Sequence, residues 1–260
     1  SLNLGGGIVV TASHNPKDQN GFKLVGRGGV CYNWETGINK IKTIIDSGQF
    51  RQGKGQLKSQ DIEKSYIKHI LSSARMKKKL RVVVDASNGA ASIVAPKLFK
   101  QLGCEVIPLF CEPDGRFPNH EADPIKKKNL ASLQEKGKET RADIGFSFDG
   151  DGDRLGVVNE RGDVVDTGKL LSLIIKDVLE KNPGSPIVYE VVVSKLVEDT
   201  IKKYGGKPVL SRTGHSYVHS RLHEEKAPLA GEYSGHFFFS ENHGFDDALF
   251  SSIKVLELLN

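Results

Sequence analysis

Leu80-Arg81-Val82-Val83-Val84-Asp85 is a near-continuous apolar run, the pattern of a central parallel strand covered on both faces. Asn88-Gly89 then turns the chain into a helix carrying Ile93, Leu98, Phe99 and Leu102. Residues 105–110 read as a second strand, 111–124 as an irregular loop with three prolines, 127–136 as a helix and 143–148 as a third strand. This β-α-β-loop-α-β order predicts a parallel α/β sheet. Upstream, Ile62, Tyr66, Ile70 and Leu71 share one face of a helix that starts at Asp61.

Working outward, residues 7–11 read as a short buried strand, 12–21 as a polar loop and 22–25 as a further strand before the Gly26–Gly29 turn. Ile38, Ile41, Ile44 and Ile45 recur at helical spacing until Asp46-Ser47-Gly48 ends the helix. Residues 51–58 are a polar linker. On the other side, 155–159 and 164–166 read as a hairpin around Glu160-Arg161-Gly162. A helix at 168–180, a strand at 187–193, a helix at 194–204 and a strand at 208–211 follow, then a helix from about Ser216, a strand at 237–239 and a helix at 246–259. The expectation is an α/β protein of tandem three-layer α/β domains with mixed, mostly parallel sheets. The divisions fall at 1–52, 53–155 and 156–260. The last two share an element order without a convincing sequence repeat.

Hydrophobic residues at 38% and charged residues at 27% suit a globular chain. No apolar run approaches the roughly 20 residues that span a bilayer, so no membrane association is expected. The net charge of +5 is thinly spread; Lys77-Lys78-Lys79 and Lys126-Lys127-Lys128 lack interleaved aromatics, which argues against nucleic acid. Cys31, Cys104 and Cys111 form no CxxC pair, so reduced thiols and a cytoplasmic setting are expected. Ser1-Leu2-Asn3-Leu4 is neither a Met start nor a signal peptide and reads as a chain cut within a fold. Nothing in the sequence specifies an oligomeric state.

Asp149-Gly150-Asp151-Gly152-Asp153-Arg154 carries three carboxylates at alternating positions. The glycines allow the tight turn that lets them converge on a hard cation. Arg154 cannot be a ligand but suits a phosphate beside the metal. An EF-hand reading fails because Arg154 stands where glycine is needed and both flanks read as strands. A phosphatase with Asp149 as nucleophile, and Asp246-Asp247 as further ligands, is an alternative. A bland charged turn is the third reading, disfavoured by repulsion among three aspartates.

Thr11-Ala12-Ser13-His14-Asn15-Pro16 places a serine just beyond a strand. Either Ser13 is a nucleophile or Ser13 and Asn15 cap a turn. Adjacent side chains in an extended loop diverge, which weakens a Ser13–His14 pairing, while Lys23 lies close enough in sequence to return toward Ser13. Within Gly231-Glu232-Tyr233-Ser234-Gly235-His236, the alternating Glu232, Ser234 and His236 suit a polyhydroxylated ligand. An ordinary polar turn fits as well. His215, His219 and His223 at i, i+4 and i+8 lack accompanying Cys or carboxylate ligands and read as a solvated helix face. His215 stands apart at a strand-to-helix turn.

Together these stretches resemble the α-D-phosphohexomutase family, in its phosphomannomutase/phosphoglucomutase branch. Residues 11–16 are similar to its phosphoserine loop, 149–154 to its magnesium loop and 231–236 to its sugar-recognition loop, and 112–120 also resemble that branch. The resemblance spans essentially the whole chain. It implies that Ser13 carries a phosphoryl group exchanged between the 1- and 6-positions of a hexose phosphate through a bisphosphorylated sugar. It also implies Mg²⁺ on Asp149, Asp151, Asp153 and a phosphoserine oxygen, and a hexose 1,6-bisphosphate as activator or intermediate. His14, Lys23 and Arg154 would serve catalysis; His215, Glu232, Ser234 and His236 would bind substrate. Tyr233 replaces the glutamine expected for an amino sugar, and Val192 stands where the branch often has a basic residue. The family has four domains. The chain shows the end of the first, then the second and third, with no Arg-x-Ser-Gly-Thr loop of the fourth. These 260 residues alone are therefore expected to have little or no mutase activity, leaving a non-catalytic metal- or sugar-phosphate-binding fragment as a further alternative.

Overall fold

A computed structural model describes residues 4–259. Its central sheet is built on β3 (Arg81–Asp85), with β4 (Glu105–Leu109) and β5 (Ile144–Phe148) parallel on either side. The antiparallel edge strand β6 (Leu155–Asn159) lies beyond β5. Val82 and Val84 face the helices α2 (Glu63–Ser73) and α3 (Ala91–Gln101), packing with Ile67, Ile70, Ala95 and Phe99. Val83 faces α4 (Ala131–Thr140) through Leu130 and Leu133. All three valines are fully buried, which is why an unbroken apolar run reads correctly as a strand covered on both faces.

The second sheet repeats this plan. β7 (Pro186–Glu190) has β8 (Lys207–Ser211) and β9 (Leu229–Gly231) parallel on either side, and β10 (Phe237–Phe239) closes the edge antiparallel. Helices α5 (Thr167–Lys181), α6 (Lys195–Lys203) and α8 (Ala248–Leu258) belong to one core, and α7 (His215–Glu224) covers the opposite face. The duplication invisible in sequence is thus plain in topology, because strand order depends on pairing and side-chain identity is free to drift. The two sheets share one continuous core, with Phe146 and Leu155 in the same cluster as Phe250 and Ile253 of α8.

Four expectations are revised. The strand β1 (Gly6–Val10) pairs antiparallel with β2 (Phe22–Gly26), but Ile8, Val9 and Val10 are 67%, 48% and 61% exposed; it is not buried, because among the described residues its sheet has two strands only. Of the anticipated apolar helix faces, Ile62 and Ile93 are exposed, as are Ile44 and Ile45 on α1 (Asn39–Ser47). The 155–166 hairpin forms with a short second limb, Val158 bridging to Val164, Asn159 N–H donating to the Asp163 carbonyl and Val165 N–H to that of Val157, while the other edge of β6 pairs with β5. A division at 155/156 would therefore sever an edge strand, and we place the junction within residues 160–166.

The fourth revision concerns α7. His223 is exposed, but His219 is 2% exposed and lies against Phe245, so its part of the helix face is not solvated. Burial, reinforced by His223 and His215, lowers the His219 pKa from 6.5 to about 4. The folded state therefore refuses a proton that the unfolded chain accepts below 6.5. The stabilisation is complete above pH 6.5 and is lost as pH falls toward 4, by at most roughly 1.4 kcal/mol per unit. Thermal melts of the wild type should steepen in their pH dependence between 6.5 and 4.5 relative to His219→Phe. Parallel curves for the two proteins would refute this source of acid sensitivity.

Candidate active site

The site forms where three segments meet at the carboxyl end of β5. Immediately after Phe148, Asp149 is fully buried. Its Oδ1 accepts from the backbone N–H groups of Gly152, Asp153 and Arg154 at 3.0, 3.0 and 3.1 Å. Neighbouring backbones clamp the loop: Ala90 N–H donates to the Gly150 carbonyl, Ala248 N–H to that of Gly152, and Leu155 N–H to that of Gly235. Gly150 is required sterically, because a Cβ there would stand 2.2 Å from the Ser13 carbonyl oxygen.

Ser13 adopts φ 55°, a left-handed conformation uncommon for a residue with a Cβ. That turn brings its Oγ to donate to Asp149 Oδ2 at 2.6 Å and folds His14 back, with Nδ1 3.2 Å from Ser13 Oγ. The divergence expected of neighbours in an extended loop is overturned, since the loop is not extended here. Ser13 and Asn15 are not side-chain caps; Ser13 N–H instead donates to Thr11 Oγ1. Lys23, from β2, donates to Asp151 Oδ2 at 2.7 Å and to Asp153 Oδ2, so it reaches the aspartates.

Three carboxylates here bear unequal loads. Burial, then the charges of Asp153 and Asp151, push the Asp149 carboxyl well above the usual range. Burial also works to raise Asp153, but hydrogen bonds and charge from His236 and Lys23 outweigh it and hold this carboxylate low. Asp151 Oδ1 is buried without a hydrogen-bond partner. One carboxylate oxygen from each of Asp149, Asp151 and Asp153 lies within 4.8 Å of the other two, so the trio is a candidate cation site with a vacant hard donor. A nucleophilic Asp149 is disfavoured by this geometry: both its oxygens are engaged and the residue is inaccessible.

From the second sheet come His215, Glu232, Ser234 and His236. Residues 232–235 form a turn between β9 and β10, with Gly235 N–H donating to the Glu232 carbonyl; the segment is not the extended one expected, yet its side chains converge. Glu232 is 2% exposed. Its Oε1 accepts from Gly214 N–H at 3.1 Å and its Oε2 lies 2.7 Å from His236 Nδ1, which also contacts Ser234 Oγ at 3.0 Å. The Glu232 carboxylate thus orients His236. Burial lowers the His236 pKa, but hydrogen bonds to Asp153 and Glu232 carry it to about 10. With the ring protonated, Nε2 donates to Asp153 Oδ1 at 3.0 Å. The 3.3 Å approach of Arg154 Nε to the same nitrogen is then an apposition of two cations, an arrangement that favours an anion. For His14, burial and Arg154 lower the pKa.

Sequence reasoning overlooked Asp246 in this setting, having considered it only as a phosphatase ligand. Its Oδ1 lies 2.9 Å from His215 Nε2. The signal was present in Phe245-Asp246-Asp247: Asp247 caps α8 by accepting from Phe250 N–H, and its neighbour in an extended segment must point elsewhere. Glu190 was also missed; its Oε2 accepts from Tyr233 N–H and holds the 232–235 turn. A cavity of about 340 Å³ opens beside the aspartates, lined by Lys23, Asp151, Asp153, His215 and Asp246 among others, within the size range of small-ligand pockets.

Comparison with known proteins identifies the family. The family models for phosphoglucomutase/phosphomannomutase alpha/beta/alpha domains I, II and III match residues 1–52, 64–162 and 166–260. A phosphomannomutase/phosphoglucomutase of Pseudomonas putida is 45% identical over 255 residues, covering 98% of this chain and 55% of the relative. A phosphoglucomutase of Neisseria meningitidis is 40% identical over 259 residues, covering 98% and 56%. The crystal structure of a phosphoglucomutase/phosphomannomutase family protein from Burkholderia thailandensis superimposes with a TM-score of 0.92 at 44% identity, covering 97% of this chain and 55% of that one. The chain spans about half the length of the curated relatives it matches. With matches to three successive domains over nearly its whole length, the chain belongs to the phosphoglucomutase/phosphomannomutase family.

Proposed function

We propose that the complete protein interconverts the 1- and 6-phosphates of glucose, mannose or both, with Ser13 as the phosphoryl carrier and a hexose 1,6-bisphosphate as intermediate. The observation that carries this reading is Ser13 Oγ, held by Asp149 and His14 near the apposed cations Arg154 and His236. Asp149, Asp151, Asp153 and the Ser13 oxygen would hold Mg²⁺. The unpartnered Asp151 Oδ1 and the all-oxygen donor set support that fit. When bound, the ion supplies charge neutralisation for a phosphoryl group.

The chain's own residues do the rest. Arg154 and protonated His236 orient phosphoryl oxygens, and Lys23 balances the aspartates. His14 and His215 are the candidates for holding or moving a proton near the reacting hydroxyl. Ser234 and Tyr233 face the sugar, with Glu232 acting through His236 unless its carboxylate exchanges partners on binding. The three unpaired cysteines fit a reducing, cytoplasmic setting.

The test supplies the complete protein with glucose 1-phosphate, mannose 1-phosphate and a trace of bisphosphate. Mutase turnover abolished by chelation is expected. Phosphate release that survives Ser13→Ala but not Asp149→Asn would establish the phosphatase instead. The cation is checked separately on the 260-residue chain. Mg²⁺ at a hundredfold over its dissociation constant should add about 2.7 kcal/mol of stability, and Asp151→Asn should erase most of the gain. A wild-type melting temperature indifferent to Mg²⁺ would overturn the cation assignment.

A further inference from the structure

Asp246 is a buried carboxylate left over by the chemistry described so far. Its side chain is 4% exposed. Oδ1 accepts from His215 Nε2 at 2.9 Å, while Oδ2 is buried without a hydrogen-bond partner and lies 3.8 Å from His236 Nε2. The two imidazoles stand edge to face, 6.1 Å apart at 70°, and both lean on Phe238. We propose that Asp246 is the positioning residue that holds His215 and His236 in register within the site, an inference that rests on the mutase reading.

The placement is built into the backbone. Asp246 bridges antiparallel to Phe238 of β10, the strand that follows the His236 turn. The next residue, Asp247, turns the other way: it caps α8 and accepts from the Tyr66 hydroxyl of α2 at 2.8 Å. Asp247 thus anchors the pair to the first sheet's helix layer, and Asp246 is left facing the histidines. A buried carboxylate oxygen without a donor is costly. It faces His236 Nε2 at 3.8 Å, beyond hydrogen-bond distance. For His215 the consequence is chemical: with Nε2–H held by the carboxylate, Nδ1 becomes the ring's acceptor. A ring that is free to rotate or to exchange tautomers would present the wrong atom part of the time.

Two measurements test this. In the 260-residue chain labelled with ¹⁵N-histidine, long-range ¹⁵N–¹H spectra should show His215 with a protonated Nε2. In Asp246→Ala that signature should shift toward a tautomer mixture; an unchanged His215 spectrum would overturn the proposal whatever the enzyme does. In the complete protein, Asp246→Asn and Asp246→Ala should lower kcat about 10- to 100-fold, the range for removing an outer partner of a site histidine, with KM changed less than about threefold. Asp246→Ala combined with His215→Gln should cost little more than His215→Gln alone. Additive losses, or a drop in Mg²⁺ affinity large enough to explain the kcat, would also overturn it. If the wild type has no mutase activity, the mutase reading fails, and the histidine spectra alone decide whether Asp246 holds His215.

Discussion

Replacing Ser13 by alanine in the complete protein should lower mutase turnover by about 10³-fold or more, while leaving the fold in place. On the proposed mechanism, the substitution removes the hydroxyl that carries the phosphoryl group in a covalent step. The structure makes the expectation specific. Asp149 accepts three backbone N–H bonds on its other oxygen, so losing the Ser13 Oγ contact leaves the aspartate loop tied. Mass spectrometry should find phosphoserine at residue 13 of the wild type after exposure to bisphosphate and none in the variant. Activity retained within about tenfold in Ser13→Ala would exclude the serine as carrier.

The second large effect is expected from Gly150→Ala, a change of one methyl group outside the reacting atoms. The new Cβ would lie 2.2 Å from the Ser13 carbonyl oxygen and 3.4 Å from the Phe117 ring. Backbone cannot yield as a flexible side chain would, so the serine loop and the aspartate loop must part by an ångström or more. Misplacement on that scale costs about 100-fold in rate, and the separation also removes the 2.6 Å Ser13–Asp149 hydrogen bond. Turnover should fall at least that far, with a lower melting temperature. Gly115→Ala, where a Cβ would meet nothing, serves as the control. Near-normal activity in Gly150→Ala would show that close apposition of the two loops is dispensable.

Much of the fold was legible because local patterns and tertiary structure agreed. Val82, Val83 and Val84 announced a strand buried on both faces, Gly48 the end of a helix and Ser194 the start of one, and all behave so. The failures share a cause. Ile8, Val9 and Val10 form a strand as anticipated, but their burial depends on what covers them, which local pattern does not encode. The β9 strand, three residues long, is too short to show a period. His219 carries a polar side chain into an apolar environment, against the usual meaning of its residue type.

For the site, sequence determined the inventory. Three aspartates punctuated by glycines point by spacing to a hard cation, whereas the serine beyond a strand and the acidic-hydroxyl-imidazole turn left a bland reading open, and only the family resemblance implied a phosphoryl carrier. Tertiary structure decided the wiring. It turned Ser13 into a left-handed conformation that brings His14 to its hydroxyl, sent Lys23 to the aspartates, committed Glu232 to His236, and put Asp246 between two histidines. These include contacts between residues as far as 130 positions apart. They form because the two sheets share one core and the serine segment meets them through side-chain hydrogen bonds, and no periodicity along one segment can report the orientation of another.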